Sequence, residues 1–402
     1  MNIIRAEAQE LSEELTQYRR WLHEHAEVGF DLSATAAFVK KQLESFGYEV
    51  VPCGKCGLTA TVGNGSGKTI LLRADMDALP IREEADVPYR CCSGNMHACG
   101  HDMHTAMLLG AANLLAKHQE QLCGTVKLMF QSAEEVLEGA KDMIEGGVLK
   151  KPEVDAAVML HVMIANPLPV GTVIVSSPGV SAPAADFFTI RVRGQGCHGA
   201  APQKGVDALT VAARILLALE DIPSREVSST YETVLTVGSF HGGSAGNVIA
   251  DSAQLDGTVR CFDMGTEAFI KKRIEDISRF IAAASRAEAQ VAFTSGCPTL
   301  VNNSALSEQV TAILRDLFGS DFVLTTQDFA KDGKLPRGGG SEDFAYVSQE
   351  VPSLMIALPA GRPEDGYRYP LHHPKAQFDE SALAVGAAAL AQIALEYLKE
   401  KK

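Results

Sequence analysis

Four stretches of this sequence gather the residue types that do chemistry. Asp75 and Asp77 sit in RADMDALP, Cys99 and His101 in MHACGHDMHT, Glu134 and Glu135 in FQSAEE, and His161 in MLHV. Thiolate, imidazole and carboxylate together are the ligand set of zinc and its first-row neighbours. Cys99 and His101 are two residues apart, so they cannot share a helix face. They suit a loop entering a helix, with Asp102 as its N-cap. The pattern is not H-E-x-x-H, so the helical arrangement of metalloproteases does not apply. Each residue has a quieter reading by itself. Glu134 and Glu135 could form the acidic first turn of a helix, His161 could be a hydrogen-bonded core histidine, and Cys99 a small buried apolar side chain. Their convergence argues for a site.

The elements around them explain that convergence. Residues 69–74 (TILLRA), 126–130 (VKLMF) and 156–160 (AAVML) are short apolar runs, with helical stretches at 105–118 and 135–145 between them. Alternating strands and helices predict a largely parallel sheet covered on both faces. Asp75 and Asp77 follow the first strand, Gln131, Glu134 and Glu135 the second, and His161 the third. In such sheets ligands bind outside the carboxyl ends of the strands. Helices are also predicted over 5–27, over 33–46 with Ser33 as N-cap, and as an amphipathic C-terminal helix over 382–398.

From about residue 186 the pattern becomes β-α-β-β-α-β, the order of a ferredoxin-like module. The expected fold class is therefore α/β. A catalytic domain with a central, largely parallel sheet spans 1–182 and 299–402. It is interrupted by an inserted ferredoxin-like α+β domain over 183–298.

Composition narrows the function. Lys plus Arg is 36 against 50 for Asp plus Glu, a formal net charge of −14, which argues against nucleic acid and anionic membranes as partners. No apolar run reaches transmembrane length, and no signal-peptide core opens the sequence. Nine scattered cysteines read as reduced thiols, so a cytoplasmic location is expected. Cys53 and Cys56 form a lone C-x-x-C in a glycine-rich turn, without the strand-to-helix context of a redox motif. No G-x-S-x-G elbow occurs, against a serine hydrolase.

Further motifs fall in a recognisable order: LRADMDALPI, MHACGHDMHTAMLLGAA, FQSAEE, GQGCHGAAP, NVIA, GTVR, GGGSEDFAY and LHHPKAQFDE. From Trp21 to Glu380 the chain resembles the dinuclear-metal amidohydrolases that include hippurate hydrolase, indole-3-acetyl-amino-acid hydrolase and N-acyl-amino-acid deacylases. The resemblance implies two divalent metal ions per subunit, zinc or manganese, with cobalt or nickel as other occupants. It assigns them to Cys99, His101, Glu135, His161 and His372. His372 is favoured over His373 because it lies two residues before Pro374, but either imidazole could coordinate. Glu134 is implied as general base, and Asp77 as a support of the catalytic group.

The inserted domain resembles the family's lid and dimerisation domain, so a homodimer is expected. There His198 matches the lid histidine that completes the partner's site, and Asn247 and Arg260 match substrate-binding positions. Two residues depart from the family pattern: Ala250 replaces a usual proline, and Met103 a usual glycine that bears on the pocket floor.

The implied activity is hydrolysis of the amide bond of N-acyl amino acids, hippurate-like, N-acetyl or indole-acetyl. Water is the nucleophile, activated by the metal pair and Glu134. A dipeptidase or carboxypeptidase on the same centre is the alternative, and a non-catalytic acyl-amino-acid-binding protein a third reading.

Overall fold

The computed structural model describes residues 2–331 and 339–399. These fall into two compact units. One comprises residues 2–181, 301–331 and 346–399; the other comprises 182–300 together with 339–345.

The first unit opens with helices α1 (Ile3–Glu10), α2 (Ser12–Glu24) and α3 (Ser33–Ser45). The single helix predicted over 5–27 is thus two, separated at Leu11. Ser33 is the first helical residue and makes no cap hydrogen bond. Instead the Glu27 carboxylate accepts from the amides of Ala34 and Thr35, at 3.2 and 2.8 Å, satisfying two donors that a helix start leaves open.

The chain then lays down β1 (Val50–Cys53), β2 (Gly57–Gly63), β3 (Thr69–Asp75), helix α4 (His101–Lys117), β4 (Thr125–Gln131), helix α5 (Gly139–Glu145), β5 (Ala156–Met163) and β6 (Val173–Val175). With strands Val323–Thr325 and Ser353–Pro359 they form one eight-stranded sheet. The pairs β3–β4 and β3–β5 are parallel, as is Ser353–Pro359 with β5. The sheet is mixed, because β1 runs antiparallel to β2 and β2 to β4. Every residue of β3 and β4 is buried, which is why both read as nearly continuous apolar runs, broken by Arg73 and Lys127, rather than alternating ones.

Fourteen residues of α4 are buried. A helix apolar on all sides belongs inside a core, and this one packs against α2 and the C-terminal helix Ala382–Tyr397. That terminal helix is buried nearly all round as well, a correction to the amphipathic reading. Gln392, which suggested a polar face, is 5% exposed, and its amide donates to Glu396 at 3.0 Å. A hydrogen-bonded polar side chain can thus be buried without a solvent face.

Asp102 corrects another expectation. Gly100 occupies the N-cap of α4 with φ +90°, and Asp102 lies inside the first turn. Its carboxylate forms an ion pair with Arg19 at 2.8 Å and bonds His23 Nδ1 at 2.8 Å, all three being buried. His23 Nε2 reaches Glu83 at 3.1 Å, and Arg19 also meets Glu380 at 3.2 Å. Burial opposes the Asp102 anion, but Arg19 and His23 outweigh it and hold its pKa below the usual carboxylate range.

The second unit carries strands Ala184–Arg193, Thr233–Gly242, Ser252–Cys261 and Glu288–Cys297 in an antiparallel sheet. Numbered along this unit, the strands lie in spatial order 2-3-1-4, which is the ferredoxin-like arrangement. Helices Ala208–Leu219 and Met264–Ala284 cover one face, burying Phe188, Ile190 and Val192 with Ile215, Ile270 and Ile274.

Asp102→Ala leaves a buried guanidinium short of its nearest counter-charge, so stability should fall by about 3–5 kcal/mol. Urea unfolding of the metal-free protein measures this; a change below the error of the fit would show that Asp102 does not carry the network.

Candidate metal centre

The parallel register sets the centre at one edge. Asp75 pairs with Gln131 across β3 and β4, and Arg73 with Met159 across β3 and β5, which brings His161 level with Asp75. Three neighbouring strands thus deliver their polar ends together, as expected for ligand sites in open α/β sheets.

Cys99 and His101 straddle Gly100, and a Cβ there would come within 2.5 Å of Val162 and 2.8 Å of Phe378. Only a glycine fits that space in a left-handed conformation, so the residue between the two donors is determined by packing. The Glu134–Glu135 turn is equally constrained. A Cβ on Gly139 would lie 1.6 Å from the Ser132 carbonyl oxygen, and Ala133 and Leu137, which flank the glutamates, hold φ of +59° and +57°. Non-glycine residues in that region carry strain, which clusters at functional sites.

Asp77 ties these pieces together. Its two carboxylate oxygens accept the backbone amides of Glu134 and Glu135 at 3.0 and 3.1 Å. Its carbonyl oxygen accepts from His101 Nδ1 at 2.8 Å, which leaves Nε2 as the ring nitrogen that faces the cluster. His161 is set in the same way, its Nδ1 donating to the Val162 carbonyl at 2.7 Å and its Nε2 lying 3.5 Å from Cys99 Sγ.

The donor atoms of Cys99, His101 and His161 lie within 4.8 Å of one another, as do those of Cys99, Glu135 and His372, and those of His101, Glu134 and Glu135. His372 Nε2 is 3.6 Å from Glu135 Oε1. His373 is otherwise engaged: its Nδ1 accepts from the Lys375 amide at 3.0 Å and its ring stacks on Tyr369 at 4.4 Å. His372 has φ +64°, another strained residue at the site.

Two buried atoms test whether the cluster fits metal. Among the described residues, His101 Nε2 and Glu135 Oε1 have no hydrogen-bond partner. Leaving a buried acceptor unpaired is costly, and a divalent cation on the overlapping donor sets would satisfy both. Burial raises the Glu135 pKa, and the nearby His101 and His372 rings offset it only in part. Burial lowers that of His101, but the Asp75 and Cys99 charges outweigh it and raise the pKa well above the ordinary value. The cluster therefore holds a negative potential suited to cations.

The sequence reading passed over His104. Its ring is buried, with Nδ1 donating to Asp75 at 2.6 Å and Nε2 accepting the Val162 amide at 2.9 Å. Burial pushes its pKa down to about 4, which keeps the ring neutral and able to accept. Asp75 in turn meets Arg73 at 2.6 Å, and Arg73 Nε donates to Gln131 at 2.9 Å. The signal was present in the i, i+3 spacing of His101 and His104, which puts both on one helix face. Met103, where a pocket-floor role was expected, is fully buried in the core of the first unit.

The remaining predicted residues lie in the second unit. His198 is exposed on a two-residue strand paired with Val248–Ile249, and its Nδ1 accepts from the Ala200 amide at 3.0 Å. Asn247 adjoins that pair, its carbonyl accepting the Gly199 amide at 2.7 Å. Arg260, on strand Ser252–Cys261, donates to the Gly339 carbonyl at 3.0 Å and to Ser341 Oγ at 2.9 Å.

A mixed α/β sheet with carboxylates, imidazoles and a cysteine sulfur at its carboxyl edge defines a metallohydrolase fold and site. Comparison with known proteins supplies the family. The chain belongs to peptidase family M20/M25/M40, whose family model matches residues 71–396. It is 38% identical to N-acetyl-L-cysteine deacetylase of Bacillus subtilis, across 93% of this chain and 85% of that one. It is 36% identical to IAA-amino acid hydrolase ILR1-like 2 of Arabidopsis thaliana, across 98% and 88%, and 34% identical to thermostable carboxypeptidase 2 of Saccharolobus solfataricus, across 98% of both.

Among solved structures, a protein from methicillin-resistant Staphylococcus aureus is similar with a TM-score of 0.88 and 34% identity, covering 99% of this chain and 100% of that one. The Bacillus subtilis YXEP protein, described as a dinuclear metal-binding peptidase of the M20 family, is similar with a TM-score of 0.77 and 29% identity, covering 97% and 99%. The chain is thus a metal-dependent hydrolase of amide bonds.

Asp77→Ala removes both amide anchors of the glutamate pair and should weaken metal affinity about 10–100-fold. Chelator competition measures it; wild-type affinity would mean that the turn holds its shape without Asp77. Cys99→Ser should also lower affinity in the same assay, and unchanged stoichiometry and affinity would remove Cys99 from the ligand set.

Proposed function

We propose that the enzyme hydrolyses the amide bond joining an acyl group to the amino group of an amino acid, with Glu134 as general base. The observation that carries this reading is the consecutive Glu134–Glu135 pair. Asp77 anchors both backbones, and Glu135 Oε1 stands unbonded in the donor cluster with Glu134 beside it. Consecutive carboxylates held this way divide two tasks: one holds metal and its neighbour moves protons.

Two divalent ions on Cys99, His101, Glu135, His161 and His372, zinc or manganese in this reading, would supply Lewis acidity and lower a water pKa to about 7. Glu134 takes the proton of the attacking water and returns it to the departing amine. His198 supplies a donor to the developing oxyanion, a type of contact that lowers a barrier by about 3 kcal/mol. Arg260 offers a planar guanidinium to the free carboxylate of the amino acid, and Asn247 a second polar contact. Asp77 works through Glu134, Glu135 and His101 as a positioning residue.

Relatives named for IAA-amino acid hydrolysis and N-acetyl-L-cysteine deacetylation support an acyl-amino-acid substrate. A relative named carboxypeptidase supports the second reading, cleavage of peptides on the same centre. In this proposal the chain works as a homodimer through the inserted unit, with His198 completing the partner's site. It works in the cytoplasm, where its nine free thiols persist. Among the described residues, no helix is long and apolar enough to cross a membrane.

Incubation with N-acetyl, N-benzoyl, indole-acetyl and long-acyl amino acids beside dipeptides, read by mass spectrometry, should show chelator-sensitive release of the amino acid. Release from dipeptides only would move the enzyme to the peptidase reading. Glu134→Ala should retain metal and lose turnover by about 10²–10⁴-fold, and near-wild-type turnover would refute the base assignment. His198→Ala should lower kcat with metal retained. Mixing it with Glu134→Ala subunits should restore activity, and no recovery would mean that His198 acts within its own subunit.

A further inference from the structure

Lys127 lies in the middle of β4 and is 4% exposed. Lysine is almost never buried without a counter-charge, yet Lys127 makes no ion pair among the described residues. One acceptor, the Lys150 carbonyl at 2.8 Å, meets its three ammonium donors. The side chain lines a cleft of about 470 Å³ whose walls also carry Lys150, Lys151, Thr59 and the backbone of Gly146–Gly147. Glu49 is the one carboxylate among the lining residues, against three lysines, and it pairs with none of them. This local surplus of positive charge stands out on a chain of net charge −14.

The cleft is separate from the metal centre. Lys127 precedes Gln131 by four strand residues, about 13 Å along the sheet, and no metal-centre donor lines it. Burial depresses the Lys127 pKa, the direction expected of an ammonium lacking its counter-ion.

We propose that this cleft is a binding site for a small oxyanion, a phosphate or a carboxylate group. Lys127 is its buried contact, and Lys150 and Lys151 attract the anion at the rim. An oxyanion accepts the donors that Lys150 leaves unused, and charge-assisted hydrogen bonds of this kind are the strong ones. A lysine that served only to hold the Lys150 carbonyl would explain the 2.8 Å bond but not the two further lysines around the same cleft.

Two measurements on the metal-loaded protein test this. Isothermal titration with inorganic phosphate, and separately with succinate, should show binding that falls at least about tenfold in Lys127→Met. It should also weaken in the doubly substituted K150S/K151S protein, in which two exposed side chains at the rim are shortened. Phosphate binding at the metal centre is common to all three proteins and cancels. The preferred arm identifies the anion, phosphate or carboxylate.

The second measurement uses wild-type protein only, so it stands even if Lys127→Met does not fold. Labelling with an amine-reactive reagent, read by mass spectrometry, should show Lys127 and the rim lysines protected by the anion. Equal binding heats in all three proteins, or labelling of Lys127 that neither anion changes, would overturn the proposal and leave Lys127 as a structural ammonium that holds the Lys150 carbonyl.

Discussion

The arrangement of donor groups at the sheet's carboxyl edge depends on one carboxylate, that of Asp77. Asp77 accepts the consecutive amides of Glu134 and Glu135 and, through its carbonyl, orients His101. Three groups from separate parts of the chain are thereby referred to one residue. Asp77 is fully buried, and those two backbone amides are the donors its carboxylate meets there. The strained residues Ala133 and Leu137 persist because this anchor, and the contact of Gly139 with Ser132, leave the turn no other conformation.

Two charge networks support the edge from below. Arg73, Asp75 and His104 link β3 to α4 and, through the Val162 amide, to the strand end that carries His161. Arg19, His23, Asp102 and Glu83 join α2 to the first turn of α4, one residue beyond His101. Buried ion pairs add little net stability over apolar packing, but breaking one is expensive. Here they tie the helix that opens with His101 to its neighbours, so that His101 and Cys99 are set by the core. Preorganisation of this kind is what a metal site asks of its protein.

The strands that carry the site were legible because both of their faces are buried. A continuous apolar run followed by Asp75, Gln131 or His161 marks both the strand and the end at which it delivers its polar residue. The inserted unit was legible from alternation, with Phe188, Ile190 and Val192 inward and their neighbours outward. Strands β1 and β2 were not, because Cys53, Gly54 and Gly57 read as a turn and the antiparallel hairpin around it has no apolar run of its own. The C-terminal helix was misread because Gln392 and Glu396 suggested a wet face, whereas Gln392 is buried and donates its hydrogen bond to Glu396.

The residue types of the metal centre, their chain order and the fold class were determined by the sequence, since ligand chemistry and hydrophobic period are properties of local segments. The tertiary structure decided what depends on distance between remote segments. It put His372 beside Glu135 and turned His373 onto Tyr369. It made Asp102 a partner of Arg19 and His23 rather than a cap. It gave His104 its place behind His161, and it left Lys127 buried without a counter-charge. Each outcome turns on which groups share a desolvated space, and the energy of a buried charge or donor is set by neighbours that lie far away along the chain.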